Sequence, residues 1–218
     1  MPRNHRPIRI PPAPDLRFET ALWQRGFQFI AGIDEAGRGA LAGPVYAAAV
    51  IFPSAGADLI PTLAGVNDSK KLTSSQRKQW AARLPQIALT YAVASASAEE
   101  IDRMGILPAT HLAAQRAVQA LSPAPDHLLL DYIRLPTVNL PQTPLVKGDA
   151  CSLSIAAASI LAKTARDAHL LALDRDYSGY GFDANKGYGT PQHLASLEKL
   201  GPSPIHRRSF APLKPRLL

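Results

Sequence analysis

The sequence has little cysteine, few aromatic residues and few charged residues. Its single cysteine, Cys151, excludes an intrachain disulfide and every cysteine-rich zinc module. Aromatic residues make up 6% of the 218 residues, and charged residues make up 19%, below the ~25% typical of globular proteins. The 24 basic and 17 acidic residues give a net charge of +7, so the positive balance reflects a shortage of acids. Such a balance permits an anionic partner, either a nucleic acid or a membrane surface.

Long apolar runs are also missing. The longest extends from about residue 41 to residue 52, is interrupted by Gly43 and Pro44, and is too short to span a bilayer. The N-terminal segment is basic and broken by prolines, so it lacks the apolar stretch of a secretory signal. We therefore expect a soluble, cytoplasmic protein. Hydrophobic residues make up 46% of the chain, which is enough to build the core of one domain.

Proline is concentrated at the two ends. Five prolines fall within the first fourteen residues, and proline disfavours both helix and central strand, so we expect a disordered arm over residues 1–15. A single domain would then span residues 16–218. The last eighteen residues are again rich in proline and basic side chains, with no acid after Glu198. We expect residues from about 176 onward to form a small, helical, basic C-terminal region.

Between these ends, the hydrophobic pattern predicts strands that alternate with helices. Capping-box signatures at Thr73 and Ser97 mark two helix starts, and Gly201 marks a helix end. Strands are predicted over 28–33, 45–52, 88–97 and 127–132, with a brief strand at 145–147. Helices are predicted over 73–84, 97–105, 108–121, 152–175 and 190–201. This order predicts an α/β sheet that begins with a meander.

Two adjacent acids, Asp34 and Glu35, follow the first predicted strand and precede Gly37-Arg38-Gly39. Acids are disfavoured in buried strands unless they are paired or bind a metal ion. Successive strand residues point to opposite faces, so Asp34 and Glu35 share a metal site only if the strand ends or bulges there. The alternative is an acidic turn that closes a hairpin.

Two further acids lie beside predicted elements. Asp131 follows three leucines at the end of a predicted strand, and Asp149 precedes the long predicted helix. In open α/β sheets, ligand sites gather at the carboxyl ends of strands. The alternatives are a turn or helix-capping role for Asp131 and an N-cap role for Asp149. The histidines are not expected to form a ligand cluster; they include His111, His169, His193 and His206.

Four carboxylates without a histidine or cysteine cluster indicate a hard cation, Mg²⁺ or Mn²⁺. A pair of such ions about 4 Å apart suits phosphoryl chemistry, because it stabilises both the attacking water and the leaving oxygen. Without that positive charge, four carboxylates around one site would repel each other strongly.

Six motifs resemble, in order, those of bacterial ribonuclease HII, the type 2 ribonuclease H. They are IDEAGRG, NDSKKL, LLLDY, KGD followed by SIAAASILAK, NKGYGT-PQH and HRRSF-P, and they cover roughly residues 30–212. The resemblance implies a ribonuclease H-like fold with a mixed five-stranded sheet flanked by helices. It implies an endonuclease that hydrolyses the RNA strand of RNA–DNA hybrids. It further implies cleavage 5′ of single ribonucleotides in duplex DNA, leaving a 5′-phosphate and a 3′-hydroxyl.

The resemblance also implies roles for individual residues. Two Mg²⁺ or Mn²⁺ ions would be held by the catalytic acids Asp34, Glu35, Asp131 and Asp149. The backbone of Gly37, Arg38 and Gly39 would contact the 2′-hydroxyl, the group that separates RNA from DNA. Tyr188 would stack on the deoxyribose that follows the ribonucleotide. Further substrate contacts would come from Lys70, Lys71, Arg207 and Ser209.

Simpler interpretations remain open for the substrate-binding residues. Lys70 and Lys71 fit a solvated turn, Tyr188 fits an exposed loop, and the segment 207–209 fits a frayed basic tail. Lys163 and Asp167 are four residues apart and predict an ion pair on one helix face.

The sequence departs from the family pattern at two positions, and two other functions remain. Relatives commonly carry Gly at the position of Tyr132, and many carry His at the position of Asn185. The first alternative is a two-metal nuclease of the same fold that cuts DNA. The second is a non-catalytic module that binds hybrids and whose acids are structural. We expect a monomer without a membrane partner.

Overall fold

The structure is a computed structural model that describes residues 11–54 and 59–213. Its strands are β1 Ile30–Ala36, β2 Val45–Ile51, β3 Thr90–Ala96, β4 His127–Asp131 and β5 Gln142–Leu145. They form one sheet in the order β3-β2-β1-β4-β5. The first three strands are an antiparallel meander, whereas β4 and β5 extend the sheet in parallel with β1. This topology confirms the predicted mixed five-stranded sheet and its initial meander.

Helices cover both faces of the sheet. They are α1 Arg17–Trp23, α2 Leu59–Thr62, α3 Ser74–Ile87, α4 Ala98–Met104, α5 Ile106–Gln119, α6 Leu153–Asp176, α7 Phe182–Asn185 and α8 Pro191–Leu200. Alternate residues of β2 point to opposite faces of the sheet. Val50 packs in one core cluster with α3 and α6, whereas Ala49 packs in another with α5. β2 is therefore buried on both faces, as its apolar sequence predicts. Among the described residues, no helix is long and apolar enough to cross a membrane.

Most predicted boundaries agree with the structure, with three informative differences. The capping boxes at Thr73 and Ser97 are both formed, and Gly201 ends α8. β1 extends to Ala36, beyond the predicted end at residue 33, because its pairing with β2 continues. β5 lies earlier than predicted, at 142–145, since Lys147 adopts a left-handed conformation that ends the strand. Helix α1 was not predicted from the sequence.

The N-terminal part of the described chain is attached to the start of α6. Asp15, at the end of the predicted arm, forms backbone hydrogen bonds with Cys151 and Leu153. Glu19 on α1 is buried, and its Oε1 accepts hydrogen bonds from the hydroxyls of Ser152 and Ser154, each at 2.6 Å. Most of the predicted arm, residues 1–10, lies outside the described residues.

Close packing of α6 against β1 brings the site together. A Cβ at Gly32 would overlap the backbone of Ser154, so only glycine allows the helix to lie this close to the strand. The short 3₁₀ turn Gly148–Ala150 leads directly into α6. The turn is thereby placed beside the ends of β1 and β4.

Candidate active site

Three carboxylates meet at the carboxyl ends of the central parallel strands. Asp34 lies near the end of β1, Asp131 is the last residue of β4, and Asp149 lies in the 3₁₀ turn before α6. Ile33 pairs with Leu130 in the parallel ladder, so Asp34 and Asp131 follow side by side. One oxygen from each of the three acids lies within 4.8 Å of the others. We refer to these three residues as the carboxylate cluster.

The cluster is crowded with negative charge. Burial, followed by the charges of Glu35 and Asp131, raises the pKa of Asp34 well above its usual value. Burial and the charge of Asp149 raise the pKa of Asp131 to about 6, although the N–H of Gly148 donates to its Oδ1 at 2.7 Å. A divalent cation would relieve this repulsion, and an all-oxygen donor set suits a hard cation. The residues present therefore fit Mg²⁺ or Mn²⁺.

Asp149 is not the N-cap of the long helix. Ser152 occupies that position, and its hydroxyl accepts a hydrogen bond from the N–H of Ile155. The N-cap alternative for Asp149 is therefore wrong, because the 3₁₀ turn separates this residue from the helix. Freed from capping, the Asp149 carboxylate faces the site, where its Oδ2 lies 3.5 Å from Nζ of Lys70.

Glu35 stands apart from the other three predicted ligands. β1 keeps a regular register through this position, with Asp34 opposite Ala48 and Glu35 opposite Ala47. Within the described residues, the group of mutually close carboxylates excludes Glu35, whose Oε1 instead pairs with Nη1 of Arg38 at 3.2 Å. Burial raises the pKa of Glu35, and the charge of Arg38 opposes that rise. The strand thus neither ends nor bulges where the sharing of a metal by both acids would require it.

A first cavity of about 450 Å³ opens beside the cluster and contains a fourth acid that the sequence analysis missed. This acid is Asp68. Burial is the largest cause that raises the pKa of Asp149, and the charge of Asp68 is the second largest. The motif NDSKKL contains this acid, but only its two lysines were predicted to contact the substrate. The first cavity is lined by Asp68, Lys70, Lys71, Asp131, Tyr132, Val146, Lys147, Asp149 and Ala150.

A second cavity of about 220 Å³ adjoins the first, because Lys70 lines both. Its lining contains Gly37 and Arg38 of the predicted ribose-contacting loop, together with Tyr188. Gly37 has φ +95°, and a Cβ there would collide with the side chain of Arg166. Glycine is thus required at this position by backbone conformation and by space.

Buried polar side chains lie beneath this second cavity. Arg166 is fully buried, its Nη2 donates to the carbonyl of Lys186 at 2.6 Å, and its guanidinium lies 4.8 Å from the ring centre of Tyr188. Arg207 is also fully buried, and it donates to the carbonyls of Gly43 and Arg38, each at 2.9 Å. The sequence predicts a substrate-facing Arg207, but the buried side chain instead supports the loop Gly37–Gly39 through the carbonyl of Arg38.

Two buried histidines complete this layer. Nε2 of His193 lies 3.0 Å from Nε2 of His206, and Nδ1 of His193 lies 2.9 Å from the carbonyl oxygen of Tyr188. The N–H of Ser203 donates to Nδ1 of His206, so His206 carries its proton on Nε2 and His193 carries its proton on Nδ1. Burial lowers the pKa of both rings, that of His206 to about 4. We call Arg166, Arg207, His193 and His206 the supporting layer.

The remaining predicted site residues lie around the two cavities. Lys70 is exposed, whereas Tyr188 is half-buried. Ser209 is exposed, and its hydroxyl donates to Oδ1 of Asp102 at 2.6 Å. Asn185, one of the two departures, is buried, and its side chain bonds the carbonyl of Tyr180 and the N–H of Gly187. Asp167 pairs with Lys163 at 2.7 Å, as the spacing predicts.

Comparison with known proteins gives the same result throughout. The family model of ribonuclease HII matches residues 31–213. A ribonuclease HII of Synechococcus sp. is 54% identical over 92% of this chain and 90% of its own length. A ribonuclease HII of Desulfitobacterium hafniense is 52% identical over 93% of this chain and 76% of its own length. The crystal structure of ribonuclease H2 from Pyrococcus horikoshii is 27% identical, with a TM-score of 0.69 over 85% of this chain and 95% of that one.

The mixed sheet with carboxylates at the ends of its central strands thus defines a metal-dependent endonuclease with the ribonuclease H-like fold. Within that class, the sequence matches extend over nearly the whole chain. The chain belongs to the ribonuclease HII family.

Proposed function

We propose that this enzyme hydrolyses the RNA strand of RNA–DNA hybrids and also cuts 5′ of single ribonucleotides in duplex DNA. The observation that carries the proposal is the adjacency of two sites. Asp131 and Asp149 of the carboxylate cluster line the first cavity, and Gly37 and Arg38 line the second with Tyr188, while Lys70 lines both. An enzyme that cuts next to a ribose needs its hydrolytic groups and its ribose contact within one nucleotide of each other.

The carboxylate cluster would hold the catalytic metal ions. Glu35 lies outside the cluster on a regular strand, but, in addition to burial, its charge raises the pKa of both Asp34 and Asp131, so its long side chain would reach an ion there as the proposed fourth ligand without a bulge in the strand. Two Mg²⁺ or Mn²⁺ ions supply Lewis-acid chemistry that activates water and stabilises the departing oxygen. The repulsion that raises the pKa of Asp34 and Asp131 supports this assignment. Burial of Asp34 fixes its carboxylate, so its oxygens need little reorganisation when substrate binds.

The residues of the second cavity would select the ribonucleotide. The missing side chain at Gly37 lets the main chain approach the sugar closely, and the 2′-hydroxyl distinguishes RNA from DNA. The Tyr188 ring, held over Arg166, would stack on the following deoxyribose. The exposed ammonium group of Lys70 would bind a phosphate between the two cavities.

The products would be a 5′-phosphate and a 3′-hydroxyl. Water attacks the phosphorus atom 5′ of the ribonucleotide, the bond from phosphorus to the 3′ oxygen of the preceding nucleotide breaks, and that oxygen takes up a proton. We propose that the enzyme acts as a monomer in the cytoplasm, where chromosomal DNA with embedded ribonucleotides is the substrate. Light scattering after gel filtration tests the monomer by its mass, and a dimer would contradict it.

The decisive experiment uses a DNA duplex with one ribonucleotide and a matched all-DNA duplex. The protein should cut the first duplex 5′ of the ribonucleotide and leave the second intact. Asp34→Asn should lower the rate by about 10³-fold or more, because it removes a ligand oxygen charge from the cluster. The control Asp176→Asn changes an exposed acid at the end of α6 and should cut normally. Equal cleavage by the protein and Asp34→Asn, or cleavage of the all-DNA duplex, would contradict the proposal.

A further inference from the structure

The first cavity carries an exposed aromatic side chain to which the proposed function gives no role. Tyr132 follows Asp131 directly, lines this cavity and is 71% exposed. Val146, which is 60% exposed, lines the same cavity one residue after the end of β5. Large apolar side chains that stay exposed together beside a catalytic site indicate a contact surface.

The backbone holds Tyr132 at the edge of the cavity in a conformation that bulky residues rarely adopt. Tyr132 has φ +64°, in the left-handed region where strain concentrates at functional sites. Its N–H donates to the carbonyl of Leu145 at 2.9 Å, and the N–H of Gly148 donates to the carboxylate of Asp131 at 2.7 Å. The first bond joins the ends of β4 and β5, and the second joins the end of β4 to the 3₁₀ turn before α6. The ring is therefore presented from two rigid strands.

The charges around the ring match a nucleotide. Lys70, Lys71 and Lys147 line the same cavity, together with Asp68, Asp131 and Asp149, whose charges bound metal ions would neutralise. Ammonium groups beside an exposed ring fit a ligand that offers both an anionic phosphate and a planar base. Lys70 also lines the cavity that contains Gly37 and Tyr188, so the two cavities are neighbours and one nucleic-acid strand is long enough to reach both.

We propose that Tyr132 stacks on the base of the nucleotide immediately 5′ of the scissile phosphate, the one that leaves with the 3′-hydroxyl, and so draws that base partly out of the duplex stack. The inference rests on the proposed function, in which the ribonucleotide lies against Gly37–Gly39 and its 3′ neighbour against Tyr188. A strand whose scissile phosphate lies at the carboxylate cluster then continues in the 5′ direction over the first cavity. Glycine, common here in relatives, suits the positive φ, whereas tyrosine adds a stacking surface.

A fluorescent base tests this contact directly. A duplex with one ribonucleotide carries 2-aminopurine immediately 5′ of it, and binding is measured in Ca²⁺, with a gel to confirm that the strand stays intact. Fluorescence should change at least about twofold from its value in the free duplex on binding to the unmodified protein and to Tyr132→Phe, and should stay near that value with Tyr132→Gly or Tyr132→Asn. With 2-aminopurine placed 3′ of the ribonucleotide, all four proteins should give the same signal.

Kinetics in Mg²⁺ give an independent readout. Tyr132→Gly should raise KM about tenfold and leave kcat within about twofold, because stacking holds the substrate without taking part in bond cleavage. An abasic site 5′ of the ribonucleotide should raise the KM of the unmodified protein similarly. The same abasic site should change nothing further in Tyr132→Gly, since the two changes remove one contact. Glycine and asparagine both tolerate the positive φ, so these variants should keep the melting temperature of the unmodified protein.

The outcomes separate the two proposals. If Tyr132→Gly matches the unmodified protein in fluorescence and KM, while Asp34→Asn still abolishes cleavage, the contact is wrong and the proposed function stands. If the abasic site and Tyr132→Gly raise KM additively, Tyr132 does not contact that base. If the unmodified protein cuts neither hybrid nor ribonucleotide-containing duplex, the proposed function fails, and the inference fails with it.

Discussion

The carboxylate cluster and the supporting layer are built on opposite electrostatic principles. The cluster collects negative charge beside a cavity and is relieved only by a cation from outside the chain. The supporting layer buries two guanidiniums and two neutral histidines, and backbone carbonyl groups accept hydrogen bonds from Arg166, Arg207 and His193, although Nε and Nη1 of Arg166 and Nη2 of Arg207 have no hydrogen-bond partner among the described residues. The hydrolytic side of the site is therefore strained without its cation, whereas the ribose-contacting side is stabilised mainly by hydrogen bonds within the chain.

The largest expected effect comes from removing one charge of the cluster. Asp131→Asn should lower cleavage by about 10³-fold or more, because it weakens metal binding. In metal-free buffer the same variant should be more stable by about 1 kcal/mol, because repulsion with Asp149 disappears. Cleavage assays and thermal melts in EDTA measure the two effects. A variant that is both inactive and less stable without metal would break the comparison.

The opposite response is expected from the supporting layer. Arg207→Met should destabilise the protein by about 2–4 kcal/mol, because it leaves the carbonyls of Arg38 and Gly43 without their donor. KM for a ribonucleotide-containing duplex should rise, since the ribose-contacting loop Gly37–Gly39 loses its support. Denaturant unfolding measures the stability, and the exposed neighbour Arg208→Met is the matched control. Equal stabilities for the two variants would contradict the supporting role.

Lowering the pH should destabilise the folded protein, because it protonates the buried histidines of the supporting layer. In the folded protein the pKa of His206 is about 4, held down by burial and by His193 as its neighbour, against a usual value of 6.5. The folded state therefore favours the neutral ring, so its stability is complete above pH 6.5 and falls as the pH drops toward 4. The loss should reach about 2–3 kcal/mol. Denaturation curves between pH 7 and 4 check the slope, and His206→Gln should flatten it.

The smallest effect is expected at Lys163, which lies next to the supporting layer on its solvent-exposed side. Lys163 lies 5.5 Å from the ring centre of Tyr188 and pairs with the partly exposed Asp167. Lys163→Gln should cost about 0.5–1 kcal/mol, because water screens both contacts. Denaturant midpoints measure this change. A loss of stability as large as that of Arg207→Met would show that Lys163 contributes as much as the buried residues of the supporting layer.

Sequence patterns predict the elements whose signals are local. The capping boxes, the doubly apolar β2 and the acids after strand-like segments all identify themselves within a few residues. Helix α1 was missed because its N-cap, Leu16, forms no side-chain hydrogen bond and prolines precede it. β5 was misplaced because its four residues include Pro144 and carry little hydrophobic pattern.

Parts of the site that depend on distant contacts could not be predicted in this way. The sequence offers Arg166 and Arg207 as basic residues, and nothing nearby along the chain indicates that both are buried. The sequence predicts no ligand cluster among the histidines, and it gives no sign that His193 and His206 contact each other, because only the fold brings their two segments together. Asp68 has the appearance of a turn residue until the fold places it beside Asp149.

The hydrogen bond from Arg207 to Arg38 also has a consequence for protein synthesis. It joins positions 169 residues apart, so the ribosome makes all four proposed catalytic acids before it makes the residue that supports the ribose-contacting loop. A nascent chain that stops before residue 207 would contain Asp34, Glu35, Asp131 and Asp149, yet its loop at Arg38 would lack the guanidinium. Selectivity for ribose would then mature later in translation than the hydrolytic groups.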